Sequence, residues 1–195
     1  ELSEKKLAEM RGYRNIAVFG VDSRDSSVGR GNRSDVIIIC SIDQSNGEIK
    51  LVSVYRDTYL DVGKNSFQKA THAYSYGGPA RAVKMLNDSL DLNITDYITF
   101  NWKAVATAVN ILGGVDIDIT PAEFKYINSY ITETVKGTGI GSVQLKAPGM
   151  QHLDGVQAVA YARLRYMDTD YQRTERQRKV VELAFEKAKK ADPKT

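Results

Sequence analysis

Val36-Ile-Ile-Ile-Cys40-Ser-Ile42-Asp-Gln-Ser-Asn-Gly47-Glu-Ile49-Lys-Leu-Val-Ser-Val-Tyr55 is the stretch whose reading decides the fold. Val36–Ile42 is dominated by β-branched residues, which fit a pleated, half-buried surface better than a helix. Asp43-Gln-Ser-Asn-Gly47 is a turn signal, because Asp, Ser and Asn side chains bond nearby backbone and glycine accepts positive φ. Ile49–Tyr55 resumes the apolar pattern, so the two runs read as strands returning antiparallel through a short turn. Upstream, Ile16-Ala-Val-Phe-Gly-Val21 reads as another buried strand, followed by a polar, glycine-containing loop to Ser34. These runs make a three-stranded antiparallel meander.

Downstream, helices and strands alternate. A helical region extends through Ala70–Tyr76, and Gly77-Gly78-Pro79 precedes a helix over Ala80–Leu90, with proline suited to its first turn. Ile94–Asn101 reads as a strand, Lys103–Leu112 as a helix stopped by Gly113-Gly114, and Val115–Ile119 as a further strand. Residues 121–150 show no clear period, and glycines at 137, 139 and 141 suggest a mobile loop. Asp154 and Gln157 have the spacing of a reciprocal helix cap, opening a helix over Val156–Arg165; the last helix runs from about Tyr171 to Lys190. Residues 1–12 read as a short amphipathic helix. The alternation predicts an α/β class, a three-layer αβα arrangement whose central mixed, largely antiparallel sheet is flanked by helices.

The chain has 195 residues, 42% of them hydrophobic and 26% charged, the balance of an ordinary globular domain. A net charge of +3 with clustered arginines argues against general nucleic-acid affinity, which needs a basic face along the duplex. It suits a local site for a small, highly charged anion. One cysteine excludes an internal disulfide and any Cys-rich metal site; Cys40, inside the decisive strand, reads as a small buried hydrophobe. Two histidines, far apart, weaken any His-based zinc or catalytic proposal. No run approaches the ~20 apolar residues of a membrane span.

The meander has a geometric consequence. Asp22 follows the first strand, Asp35 precedes the second and Arg56 follows the third, so antiparallel pairing puts all three at one edge of the sheet. Arg33 lies in the loop between the aspartates and Arg24 follows the first. Two carboxylates among arginines suit a divalent cation with a phosphate, since Mg²⁺ takes one or two carboxylates plus phosphate oxygens. The alternative is a set of loop ion pairs worth ~0–1 kcal/mol each when exposed.

A second arginine cluster lies near the C-terminus: Ala-Tyr-Ala-Arg163-Leu-Arg165, then Tyr171-Gln-Arg173-Thr-Glu-Arg176-Gln177. On a helical wheel Arg173 and Gln177 share the face of Val180, Val181, Ala184 and Ala188, while Arg178, Lys179, Glu182 and Glu186 lie opposite. A guanidinium on a stripe meant for burial needs anionic partners, and a helix N-terminus favours an anion. The cluster reads as a phosphate clamp; a solvated charge run beside an Arg–carboxylate pair is the alternative. Because alternate residues point apart on a helix, Arg163 and Arg165 reach one phosphate only if the helix ends near Leu164. The loop Gly20–Gly31 lacks the Gly-Lys-Ser/Thr of a Walker A motif, and no Gly-x-Ser-x-Gly elbow occurs. His72 fits a structural histidine bonded to a backbone carbonyl, or else an acid–base residue.

Gly20-Val-Asp22-Ser-Arg24, Arg33-Ser-Asp35, Ser53-Val-Tyr-Arg56-Asp57-Thr58, Lys69-Ala-Thr-His72-Ala-Tyr74, Gly77-Gly78, Gly113-Gly-Val-Asp116, Leu153-Asp-Gly-Val-Gln-Ala158, Tyr161-Ala-Arg163-Leu-Arg165 and Arg173-Thr-Glu-Arg176-Gln177 follow one another in order. This series resembles the catalytic domain of the LytR-CpsA-Psr family over about residues 14–185. The resemblance implies a membrane-anchored, extracytoplasmic phosphotransferase of the bacterial cell wall. It would move a glycopolymer phosphate, such as wall teichoic acid or capsular polysaccharide, from a polyprenyl-pyrophosphate carrier to a peptidoglycan sugar hydroxyl. By the same resemblance Asp22 and Asp35 bind Mg²⁺ (or Mn²⁺), and Arg33, Arg56, Arg163, Arg165 and Arg173 contact the pyrophosphate, with Gln177 beside that head group. Asp35, Arg56 and Arg33 are then the residues nearest the chemistry. It also implies a polyprenyl tail in an apolar tunnel, a peptidoglycan acceptor, no nucleic-acid partner, and an upstream membrane anchor to which residues 1–13 are the helix or linker. The catalytic domain proper is expected over residues 14–190. Tyr55 stands where the family commonly has proline, which bears on local loop shape without removing Arg56. Two rival readings use the same residues: a polyprenyl-pyrophosphate phosphohydrolase, and a non-enzymatic polyprenyl-phosphate binding or regulatory module.

Overall fold

The computed structural model of the chain describes residues 2–21, 28–165 and 170–190. The chain divides into two compact units, Glu1–Phe100 and Asn101–Thr195.

The first unit begins with α1 (Glu4–Glu9), capped by Ser3 and burying none of its residues. The meander follows as β1 (Tyr13–Val21), β2 (Ser34–Asp43) and β3 (Ile49–Ser53). Both pairings are antiparallel, with Ile16 opposite Cys40 and Cys40 opposite Leu51. The turn after β2 is closed by Asp43, whose Oδ1 accepts from the backbone N–H of Ser45 at 2.8 Å. A short hairpin, β4 (Tyr59–Asp61) and β5 (Phe67–Lys69), leads to α2 (Thr71–Leu90), and β6 (Asp96–Asn101) completes the sheet in the order β3-β2-β1-β6. Expectation and structure differ over α2 only in continuity. Its two halves meet at Gly78, with φ 69° and ψ −162°, and Pro79 starts the second half.

Central β2 is buried on both faces, and Val36 through Cys40 are each no more than 5% exposed. That is why its sequence is apolar without alternation, whereas edge strand β3 alternates half-buried and exposed positions. Phe19, Ile37 and Ile39 pack with Ala73, Tyr74, Ala82, Met85 and Leu86 of α2. Burial also pushes the Cys40 thiol above its ordinary pKa, as suits a residue present for packing.

The second unit contains α3 (Trp102–Ile111), β7 (Val115–Ile119), α4 (Pro121–Thr138), β8 (Gly149–Leu153), α5 (Gly155–Arg163) and α6 (Asp170–Lys190). β7 and β8 pair antiparallel, Val115 opposite Leu153. Every residue of α5 from Gly155 to Ala162 is buried, so it is the core helix, with contacts to α3, α4 and α6. Its small side chains suit that place. A Cβ on Gly155 would stand 1.8 Å from the carbonyl oxygen of Ala106 on α3, so only glycine fits there.

The mobile loop expected over 121–150 is a correction. Thr120 and Glu123 form a reciprocal cap, Pro121 occupies the first turn, and α4 runs to Thr138, where Gly139 ends it at φ 71°. The capping signal was in the sequence, but the glycines outweighed it. The expected α/β class holds, with the sheet flanked by helices.

Candidate functional site

In the first unit, β2 carries Asp35 at its second position, one step inside the strand rather than before it. Arg56 lies three residues past β3, where the backbone turns: the Thr58 N–H donates to the Tyr55 carbonyl at 2.9 Å, and the N–H groups of Ala70 and Thr71 donate to the carbonyls of Thr58 and Arg56 at 2.8 and 3.0 Å. This anchoring to the start of α2 fixes where the arginine leaves the chain. Its Nη1 donates to Asp35 Oδ1 at 2.8 Å, with the side chains 24% and 19% exposed. Arg56 Nε also stands 3.8 Å from Asp57, which pairs with Lys69 at 3.2 Å. The meander therefore does bring Asp35 and Arg56 together. Arg33, two residues before Asp35, is exposed. Asp22 and Arg24 lie outside the described residues.

In the second unit, α5 ends at Arg163 and Leu164 turns extended, φ −51° and ψ 129°. The helix stops where the paired use of Arg163 and Arg165 requires, two residues earlier than the sequence placed its end. Arg163 Nη1 donates to Thr134 Oγ1 at 2.9 Å, while Arg165 is exposed. On α6, Arg173 and Gln177 are each 5% exposed and share a buried stripe with Arg176 and Val180. The stripe narrows sooner than expected: Val181 and Ala184 are half-buried and Ala188 is exposed.

Arg176 has a role that the sequence did not assign. Its Nη2 donates to the carbonyl of Leu164 at 3.0 Å, just past α5, and its Nη1 stands 3.6 Å from Glu123 Oε1. The other oxygen of Glu123 accepts from the Thr120 N–H at 3.0 Å. One buried ion pair thus joins the start of α4, the end of α5 and α6. The signal was the Thr120/Glu123 cap itself, which places a carboxylate at a helix start. His72 differs from expectation as well: its Nδ1 is 2.9 Å from the Gln68 side-chain oxygen, not a backbone carbonyl.

Among the described residues, no group of three or more His, Cys, Asp or Glu side chains is placed to hold a metal. A cation that completes its shell with phosphate and water needs fewer protein ligands. Asp35 fits such a role: Oδ1 is taken by Arg56, and Oδ2 accepts no hydrogen bond among the described residues.

Known proteins extend the picture. The profile of the LytR_cpsA_psr family matches residues 1–194. A polyisoprenyl-teichoic acid–peptidoglycan teichoic acid transferase, TagU of Enterococcus faecalis, is 32% identical over 178 residues, 89% of this chain and 53% of its own length. Among solved structures, TagT bound to LIIa-WTA superposes with a TM-score of 0.76 at 28% identity, covering 98% of this chain and 71% of that one. TagT (YwtF) with bound octaprenyl pyrophosphate lipid gives 0.71 at 26% identity, covering 93% and 67%. The chain spans about half the length of the curated relatives it matches. The profile match over residues 1–194 and the 32% identity with TagU over 89% of this chain decide it: this protein belongs to the LytR_cpsA_psr family.

Proposed function

We propose that this protein transfers a glycopolymer phosphate from a polyprenyl-pyrophosphate carrier to a sugar hydroxyl of peptidoglycan. The observation that carries the reading is the half-buried Asp35–Arg56 pair at 2.8 Å, in a chain whose relatives are named as teichoic acid transferases. The acceptor hydroxyl oxygen attacks the glycan-bearing phosphorus, the bond to the bridging oxygen breaks, and polyprenyl phosphate leaves with the bonding electrons while the hydroxyl proton passes to solvent, so a phosphodiester forms. Such a transfer needs positioning and neutralisation of charge on the phosphates more than covalent help. By the family resemblance, Arg33, Arg56, Arg163, Arg165 and Arg173 would supply that positive charge, with Gln177 as a neutral donor.

Asp35, with Asp22, would hold Mg²⁺, which neutralises phosphate charge when bound. The ion pair with Arg56 orients Asp35. The same reading places the protein at the extracytoplasmic face of the cell membrane, where carrier and acceptor meet, and assigns its attachment to an anchor upstream. Among the described residues no helix is long and apolar enough to cross a membrane.

A product assay tests the reading. Given a polyprenyl-pyrophosphate-linked glycan and peptidoglycan, the protein should join glycan to peptidoglycan and release polyprenyl phosphate. Release at the same rate without acceptor, and no joined product with it, would make the protein a phosphohydrolase. No cleavage in either case would leave a binding module.

A further inference from the structure

The β4–β5 hairpin displays two large rings to solvent. Tyr59 is 71% exposed and Phe67 55%, and their rings stack with centroids 6.1 Å apart and planes 29° from parallel. Isolated exposed apolar residues are ordinary. Two stacked against each other on a short, pinned hairpin form a preorganised surface. The pinning is explicit: Asp61 Oδ1 accepts the backbone N–H groups of Gly63 and Ser66 at 2.8 and 3.0 Å, closing the turn that brings Phe67 back beside Tyr59. Lys69 is directly opposite Tyr59 in the register, and its ammonium pairs with Asp57 at 3.2 Å. Asp57 is the residue after Arg56. The rings are therefore joined, through one turn and one ion pair, to the arginine beside Asp35.

We infer that Tyr59 and Phe67 are a stacking platform for the saccharide chain of the acceptor, next to the phosphate-handling residues; this rests on the transferase reading above. The chemistry favours a sugar. A pyranose ring presents a face of C–H groups that packs flat on an aromatic ring, with hydroxyls around its rim. The platform has the matching layout, apolar faces bordered by an ammonium and carboxylates able to donate to and accept from hydroxyls. The same border argues against insertion into a bilayer, where charged groups are costly to bury even when paired. A rigid platform also loses little side-chain entropy on binding.

The test uses Tyr59→Ser, Phe67→Ser and the conservative Tyr59→Phe, with uncrosslinked peptidoglycan glycan strands as the probe. Direct binding of the strands and of anionic phospholipid vesicles, the KM for acceptor and cleavage of the lipid-linked donor by water are measured for each. Both serine variants should weaken strand binding and raise the acceptor KM about tenfold or more, with donor cleavage and melting temperature unchanged; Tyr59→Phe should behave as the parent. Unchanged strand binding in the serine variants overturns the inference, as does a loss confined to binding of anionic phospholipid vesicles. If the parent shows no transfer but binds the strands through these rings, the transferase reading fails while the platform stands.

Discussion

Arg165 and Arg176 carry the same charge and are placed for opposite purposes. Arg176 is 5% exposed and committed to Glu123 and the Leu164 carbonyl. Removing one partner of a buried pair strands the other, at a cost of ~3–5 kcal/mol. Arg176→Ala should therefore lower stability by about that much in chemical denaturation, before any assay of activity is meaningful. Arg165 is exposed at the extended exit from α5, so Arg165→Ala should stay within ~0.5 kcal/mol of the parent. Its transfer rate should fall more than about tenfold, the equivalent of ~1.4 kcal/mol of transition-state stabilisation. Arg163 stands between them, since its bond to Thr134 adds a net stability of ~1 kcal/mol. Normal turnover with a large loss of stability in Arg165→Ala would identify it as an ion-pair residue and remove it from the phosphate site.

Elements of this chain are set by their ends as much as by their interiors. α4 and α5 both begin with a reciprocal cap, Thr120 with Glu123 and Asp154 with Gln157. α5 was legible because its cap led into the apolar run Ala158–Ala162; α4 was not, because Gly137 and Gly139 read as loop. Gly137 in fact lies within α4, where a side-chain Cβ would meet nothing within 4 Å, and Gly139 closes the helix in the left-handed region. Two substitutions separate these cases. Gly137→Ala should be neutral or stabilise by up to ~1 kcal/mol, since alanine is the better helix former and has room. Gly155→Ala should destabilise by about 2–3 kcal/mol, because its methyl meets the backbone of Ala106 and α3 must shift. Thermal melts of the pair, read against the parent, check both signs at once.

At the scale of the whole molecule, the proposed metal ties the function together. Asp35→Ala should retain pyrophosphate affinity while transfer falls by about two orders of magnitude, ~3 kcal/mol at the transition state. EDTA should reproduce that loss in the parent and add little to the variant. Full transfer in EDTA would reduce the Asp35–Arg56 pair to a structural contact. Periodicity and turn residues along the chain by themselves determined the α/β class, the antiparallel meander and the apolar centre of β2, since these depend on local propensity and on which residues must leave water; the family was legible only through the resemblance of its ordered motifs. They also placed Asp35 and Arg56 at one end of the sheet, because strand direction follows from turn length. Tertiary structure alone decided that the two side chains meet at 2.8 Å, that α5 stops at Arg163, and that Arg176 is a brace between three helices. It alone stacked Tyr59 on Phe67 across the hairpin. The physical reason is range: a cap or a turn is written within a few residues, whereas a buried ion pair such as Glu123–Arg176 joins residues distant in sequence, and its partners are chosen only when the helices carrying them have packed.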